Sequence, residues 1–182
     1  MPMQMIKELL YRIRGEYTTE KLKKMGMKVG DNFIRLHGVI LDPSHCWLIS
    51  IGNNVTIAPR VHILAHDAST KHALGFTKLG VVEIGDNVFI GAESIILPNV
   101  RVGRNVIIGA GSIVAKDLPE NGVYAGCPAK FICPYDEYIL RNKEIMMKSN
   151  IYGEEFTLRK NVSMEKRIQM REELKGGIGF VE

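Results

Sequence analysis

Residues 84–119 read IGDNVF IGAESI ILPNVR VGRNVI IGAGSI VAKDLP, and this stretch decides the fold. An aliphatic residue returns every six positions, at Ile84, Ile90, Ile96, Val102, Ile108 and Val114. Upstream the same frame gives IGNNVT, IAPRVH and ILAHDA from Ile51, Ile57 and Ile63. Every third hexad matches best. VGDNFI, IGNNVT, IGDNVF and VGRNVI form one class, and IAPRVH, IGAESI and IGAGSI form the next, so the period of six becomes one of eighteen. Ordinary strand alternation has period two and cannot produce a triplet of distinct hexads. Three hexads therefore make one coil of an all-β solenoid, with first and fifth positions facing inward. Gly, Asn and Asp are expected at tight corners between the faces, and stacked coils should leave Asn and Ile ladders in register.

The frame breaks twice. Trp47 to Ser50 are four residues too many, and Ser69 to Glu83 are fifteen, read as a loop 69–83 extruded from one corner. Long insertions in solenoids often form the binding face. His66-Asp67 stands directly before the longer one, which itself carries Thr70, Lys71, His72 and Lys78. The flanks are of another kind. Residues 1–28 are expected to form an N-terminal helical cap, with segments at Met5 to Arg12 and Thr18 to Met25, and residues 29–133 the repeat. Residues 134–182 form a C-terminal helical extension, with helices expected over Asp136 to Met147 and Ser163 to Lys175, Ser163 being the N-cap.

Composition agrees with a single globular domain of 182 residues. Eighteen glycines without a Gly-x-y period exclude collagen, and 46% hydrophobic residues exclude low-complexity disorder. The net charge of +4 is spread along the chain, with no zinc-finger, homeodomain or RNA-sheet signature to indicate nucleic acid. Neither GxGxxG between strand and helix nor GxxxxGK[ST] occurs. Three separated cysteines argue against a disulfide framework and for a reducing compartment. No apolar run is long enough to span a bilayer, so a cytoplasmic protein is expected.

From about Val29 to Ile132 the chain resembles the hexapeptide-repeat acyltransferases, in the branch of maltose, galactoside and polysaccharide-sugar O-acetyltransferases. The hexads carry the likeness, with the closing run VGRNVIIGAGSIVAKDLPENGVYAGCPAK and the histidine ahead of the extended loop. It implies a left-handed parallel β-helix and a homotrimer with active sites between subunits. It also implies transfer of an acetyl group from acetyl-CoA, as co-substrate, to a hydroxyl of a sugar or sugar-containing intermediate, with no metal required. His66 matches the family's catalytic base. A neutral imidazole can take the acceptor's proton as its oxygen attacks the thioester, then pass it to the departing sulfur.

Asp67 is a candidate to orient that ring, a backbone carbonyl being the alternative. His37, Asp42, His45, Asn53 and His72 are polar candidates for the acceptor side. For the cofactor, Gly109, Ala110, Gly111 and Ser112 leave room for a pantetheine arm, and an amide near Ala92 could face the oxyanion. Lys116 and Lys130 match basic positions near the phosphates. His62 and His66 do not share a face as they would on a helix, which disfavours a zinc site. Cys127 and Cys133 lack a neighbouring histidine in sequence, which disfavours a cysteine nucleophile. Galactoside-type enzymes carry a sugar-binding asparagine where this chain has Leu36, and their N-terminal cap is longer and less basic. The resemblance therefore points away from a free disaccharide or simple galactoside and toward a nucleotide-activated or lipid-linked sugar, or a glycan being assembled. The alternatives are N-acetylation of an amino sugar and a non-catalytic hexapeptide module.

Overall fold

The computed structural model describes residues 16–182, so the segment Met5 to Arg12 lies outside the described residues. The chain divides into two units, the second running from Asp136 to Glu182. In the first, short strands stack into three parallel sheets. Sheet 1 holds Lys28–Val29, Ile49–Ile51, Val82–Ile84 and Arg101–Val102. Sheet 2 holds Ile34–Arg35, Thr56–Ile57, Val88–Ile90, Val106–Ile108 and Gly122–Ala125, and is closed by the antiparallel strand Lys130–Pro134. Sheet 3 holds Ile40–Leu41, His62–Ile63, Ile95–Ile96 and Ile113–Val114. The chain visits sheets 1, 2 and 3 in turn, so one circuit is one layer and three hexads.

Register follows the hexad frame. Phe89 pairs with Ile107 and Ile95 with Ile113, each eighteen residues on. Earlier layers pair across the insertions: Ile34 with Thr56, twenty-two residues on, and Phe89 with Thr56, thirty-three apart. The surplus is four and fifteen, the lengths at which the frame breaks. Both insertions leave between sheets 3 and 1. The first includes the turn Cys46–Leu48; the second includes the strands His66–Asp67 and Lys78–Leu79, which pair antiparallel. One edge of the coil thus carries both insertions.

First-position residues from Ile51 to Val114 are at most 4% exposed, and fifth-position Val55, Val61, Val88, Val100 and Val106 at most 2%. Each such side chain contributes roughly 1.5–3 kcal/mol by leaving water. The corners correct the expectation for glycine. The fourth position of the hexads takes the left-handed conformation, and asparagine fills it at Asn32, Asn54, Asn87, Asn105 and Asn121. Their side-chain amides link in sequence at 2.8–3.0 Å from Asn32 to Asn121, one rung per layer. Glycine at the second position serves close approach instead. A Cβ on Gly91 would stand 2.4 Å from the Ala110 nitrogen in the next layer.

In the N-terminal cap, the helix Thr19–Lys24 is capped by the Thr18 hydroxyl and buries Leu22. The second unit holds the helices Tyr135–Met146 and Met164–Glu173, neither with a buried residue. Ser163 caps the latter as its sequence indicates, accepting from the Lys166 amide at 3.3 Å. A parallel strand pair, Ile151–Tyr152 with Phe180–Val181, joins this unit, and the Tyr152 hydroxyl donates to Glu173 at 3.0 Å. Among the described residues no helix is long and apolar enough to cross a membrane.

Candidate active site

The two insertions meet at the edge between sheets 3 and 1, and there the polar side chains of the first two layers converge. Asp42 directly follows the sheet 3 strand of the first layer, and His66 comes after that of the second. The His66 Nδ1 lies 2.5 Å from Asp42 Oδ2. The Ala65 amide donates to the same oxygen at 2.9 Å, and the Ser44 amide donates to Oδ1 at 3.0 Å. Asp42 is 1% exposed, whereas the His66 side chain keeps 34%.

Burial pushes the Asp42 carboxyl upward, but the His66 contact and the two backbone amides outweigh it and leave the acid below its ordinary value. A carboxylate ionised at neutral pH and facing Nδ1 makes that nitrogen the donor. The neutral ring then offers Nε2 as an acceptor, which is the tautomer a base needs.

Asp67 corrects the expectation that it orients the ring. Its carboxylate bonds Lys78 Nζ at 2.5 Å and the Ser69 amide at 2.8 Å, so it braces the base of the loop. Lys78 first and those hydrogen bonds next hold its carboxyl far below the usual carboxylate range. Adjacent residues of one strand point to opposite faces, so His66 and Asp67 part company. Counting with the four-residue surplus could have found Asp42, because Leu41 pairs with Ile63 and so puts Asp42 beside Leu64 in the next layer.

One ligand atom from each of Asp42, His45 and His66 lies within 4.8 Å of the others, the spacing of a possible metal cluster. Both Asp42 oxygens are already engaged by Ser44, Ala65 and His66, which is the donor set of an orienting carboxylate. The His45 ring lies 5.3 Å from that of His66. His62 is elsewhere, paired in sheet 3 with Ile40 and Ile95.

The other sequence candidates divide by edge. Asn53 sits between sheets 1 and 2, where its Oδ1 accepts the Asp31 amide at 2.8 Å; it ties layers together rather than facing the histidine. His37, Ala92, Gly109, Ala110, Gly111 and Ser112 lie between sheets 2 and 3. Ser112 is a correction, for it is 0% exposed and bonds the Gly109 carbonyl at 2.5 Å and the Gly126 amide at 3.1 Å. It seals the interior. Ala110 and Gly111 remain exposed, and Gly111, with a φ of +68°, has open space where a Cβ would stand.

His72 is exposed in the loop helix Lys71–Leu74, and Lys130 is exposed on the closing strand of sheet 2. Lys116 shares the His66 edge two layers on, lining a cleft of about 720 Å³ with Glu83, Asn99, Arg101 and Asp117. Cys46 is fully buried, and burial pushes its thiol up, the opposite of a reactive cysteine.

A family model described as bacterial transferase hexapeptide, six repeats, matches residues 82–116. Protein CapG of Staphylococcus aureus is 41% identical over 155 residues, spanning 80% of this chain and 90% of CapG. Among solved structures, a maltose O-acetyltransferase from Clostridium difficile 630 superposes with a TM-score of 0.53 at 41% identity, over 60% of this chain and 59% of that one. A hexapeptide-repeat acetyltransferase of Vibrio cholerae O1 biovar eltor, solved with acetyl coenzyme A, gives 0.54 at 25% identity, over 60% and 61%. The likeness thus covers about three-fifths of each solved chain and nearly all of CapG. Eighteen-residue layers, a histidine paired with a buried carboxylate beside the extruded loop and these relatives together place the chain in the hexapeptide-repeat acyltransferase superfamily, in the branch of maltose, galactoside and polysaccharide-sugar O-acetyltransferases that use acetyl-CoA.

Proposed function

We propose that the protein moves an acetyl group from acetyl-CoA to a hydroxyl of a sugar or sugar-containing intermediate, with His66 as general base and Asp42 as its orienting carboxylate. The observation that carries this is the 2.5 Å contact between His66 Nδ1 and the buried Asp42. In the reaction Nε2 accepts the acceptor's proton while that oxygen forms a bond to the thioester carbonyl carbon. The tetrahedral intermediate collapses, the carbon–sulfur bond breaks, and the proton goes to the sulfur, giving an acetyl ester and free coenzyme A.

The division of candidates between two edges supports a site shared by subunits of a homotrimer. One edge carries the base and Lys116; another carries Ala92 and the open corner at Ala110 and Gly111. A neighbouring copy would set the second edge beside the first and complete a groove for the pantetheine arm. By the same likeness the coil is left-handed.

The test is release of coenzyme A across a panel of sugars, amino sugars and nucleotide-sugars. Chromatography suits it, because the exposed Cys127 would react with a thiol dye. His66→Ala is expected to lower turnover by about 10²- to 10⁴-fold while leaving the fold intact. Full turnover in that variant would remove His66 from the base role. No release with any acceptor, together with no thermal stabilisation by coenzyme A, would favour the non-catalytic module.

A further inference from the structure

Trp47 is the only tryptophan of the chain, and it stands in the four-residue surplus of the first layer. Its turn is anchored from within. Cys46 is 0% exposed, with its sulfur 3.7 Å from the Leu22 carbonyl and 3.9 Å from that of Met25, and Leu48 is half-buried. The backbone of Gly26, with a φ of +108°, packs so close that a Cβ there would lie 2.9 Å from the Trp47 Cβ. Held in this way, the indole is nonetheless 53% exposed.

A single exposed apolar residue is ordinary on a protein surface. What sets this one apart is its company. The Trp47 ring packs at 5.3 Å and 57° on His45, and His45 packs at 5.3 Å and 49° on His66. The three rings lie in series, each tilted against the next, and the series ends at His66. The His45 Nδ1 is buried and bonds no group among the described residues, so it is the flat ring rather than a polar contact that His45 contributes to Trp47.

We propose that Trp47, backed by His45, is the floor of the acceptor subsite and stacks against the C–H face of a pyranose ring, bringing a perimeter hydroxyl to His66. This rests on acetyl transfer to a sugar as set out above. The chemistry fits both partners. The indole face is electron-rich and apolar, and the C–H face of a pyranose is apolar with a weak positive edge. Stacking leaves the ring hydroxyls free at the rim, where a base can reach one of them. Specificity under this arrangement falls on the sugar ring and not on a nucleotide or lipid attached to it.

The lone tryptophan is its own reporter. In the His66→Ala protein, indole emission is to be followed while methyl glucoside, methyl galactoside, N-acetylglucosamine, UDP-glucose, UDP-N-acetylglucosamine and UDP alone are added. Sugars that the wild type acetylates are expected to shift the emission and shield it from acrylamide, and UDP alone is not. In steady-state assays Trp47→Ala should raise the acceptor KM about tenfold while the acetyl-CoA KM stays unchanged, and Trp47→Phe should recover most of the loss. If the wild type acetylates a sugar and Trp47→Ala leaves its KM unmoved, the platform is overturned and the base assignment stands. Emission that is shielded before any sugar is added, and indifferent to it, means that a second copy of the chain covers the indole, which also overturns the proposal. If no sugar is acetylated and none shifts the emission, both readings fall together.

Discussion

The layers from Ile84 to Val114 and the layers from Val29 to Ile63 are built from the same hexads, yet they do different work. In the later layers strands pair at eighteen residues and the corners are single turns. In the earlier ones the spacing stretches by four and then by fifteen, and both surpluses leave at the edge between sheets 3 and 1. Asp42, His45, Trp47 and His66 all belong to that edge, at or beside the points where the chain departs from its repeat. The repeat builds a regular wall, and the interruptions gather these polar and aromatic side chains on one edge of it.

The sharpest way to break this comparison is to make the early layers regular. Removing residues 69–83 joins ILAHDA directly to IGDNVF, and Asp67→Val then fills what becomes a buried fifth position. This variant is expected to retain the circular dichroism of the parallel sheets and to fall to the turnover of His66→Ala. Loss of the sheets instead would show that the loop is part of the scaffold.

Asp42→Asn tests the dyad with a smaller change. Turnover should drop about 10²- to 10⁴-fold, because a carboxamide no longer fixes the ring tautomer. The variant also carries a pH signature. The Asp42 acid is lowered in the folded protein, so the folded state holds fewer protons than the unfolded one. Its stabilisation is present above the unfolded carboxylate value of about 3.9 and is lost as pH falls toward the lower folded value. Thermal midpoints measured from pH 5 downward should therefore fall less steeply in Asp42→Asn than in the wild type.

In the regular region the expected effect is on stability alone. Gly85→Val would push a side chain against the backbone of Gly103 and Arg104, on the edge between sheets 1 and 2, and cost about 3 kcal/mol, read as a lowered denaturation midpoint. Where the variant stays folded, the His66 reaction should proceed at close to the normal rate.

How much of this was legible beforehand varies by residue. The period, the buried first and fifth positions, the asparagine rungs and the lengths of both surpluses follow from the order of residues, because a hexad solenoid is a local code repeated layer by layer. The choice of His66 as the expected base rests on its place beside the longer insertion and on the family likeness. The roles of Asp67, Ser112 and Asn53 were not legible. Each has a side chain suited to the site and another partner that claims it: Lys78 for Asp67, the Gly109 carbonyl and Gly126 amide for Ser112, and the Asp31 amide for Asn53.

Glycine was legible as a corner residue but not in its reason, since the left-handed position belongs mainly to asparagine and the second-position glycines answer the layer above. The antiparallel strand Lys130–Pro134 lies outside the hexad code, and so does the strand pair that joins the C-terminal unit.

By itself the sequence determined that this chain winds into stacked layers, which faces its aliphatic residues fill, and that one histidine stands where the repeat is interrupted. Only the tertiary structure decided that the Asp42 carboxylate reaches that histidine while Asp67 turns to Lys78. The reason is physical. Burial and coil period depend on neighbours a few residues away. The dyad joins side chains from different layers, and their meeting depends on the corner at which each surplus leaves the wall.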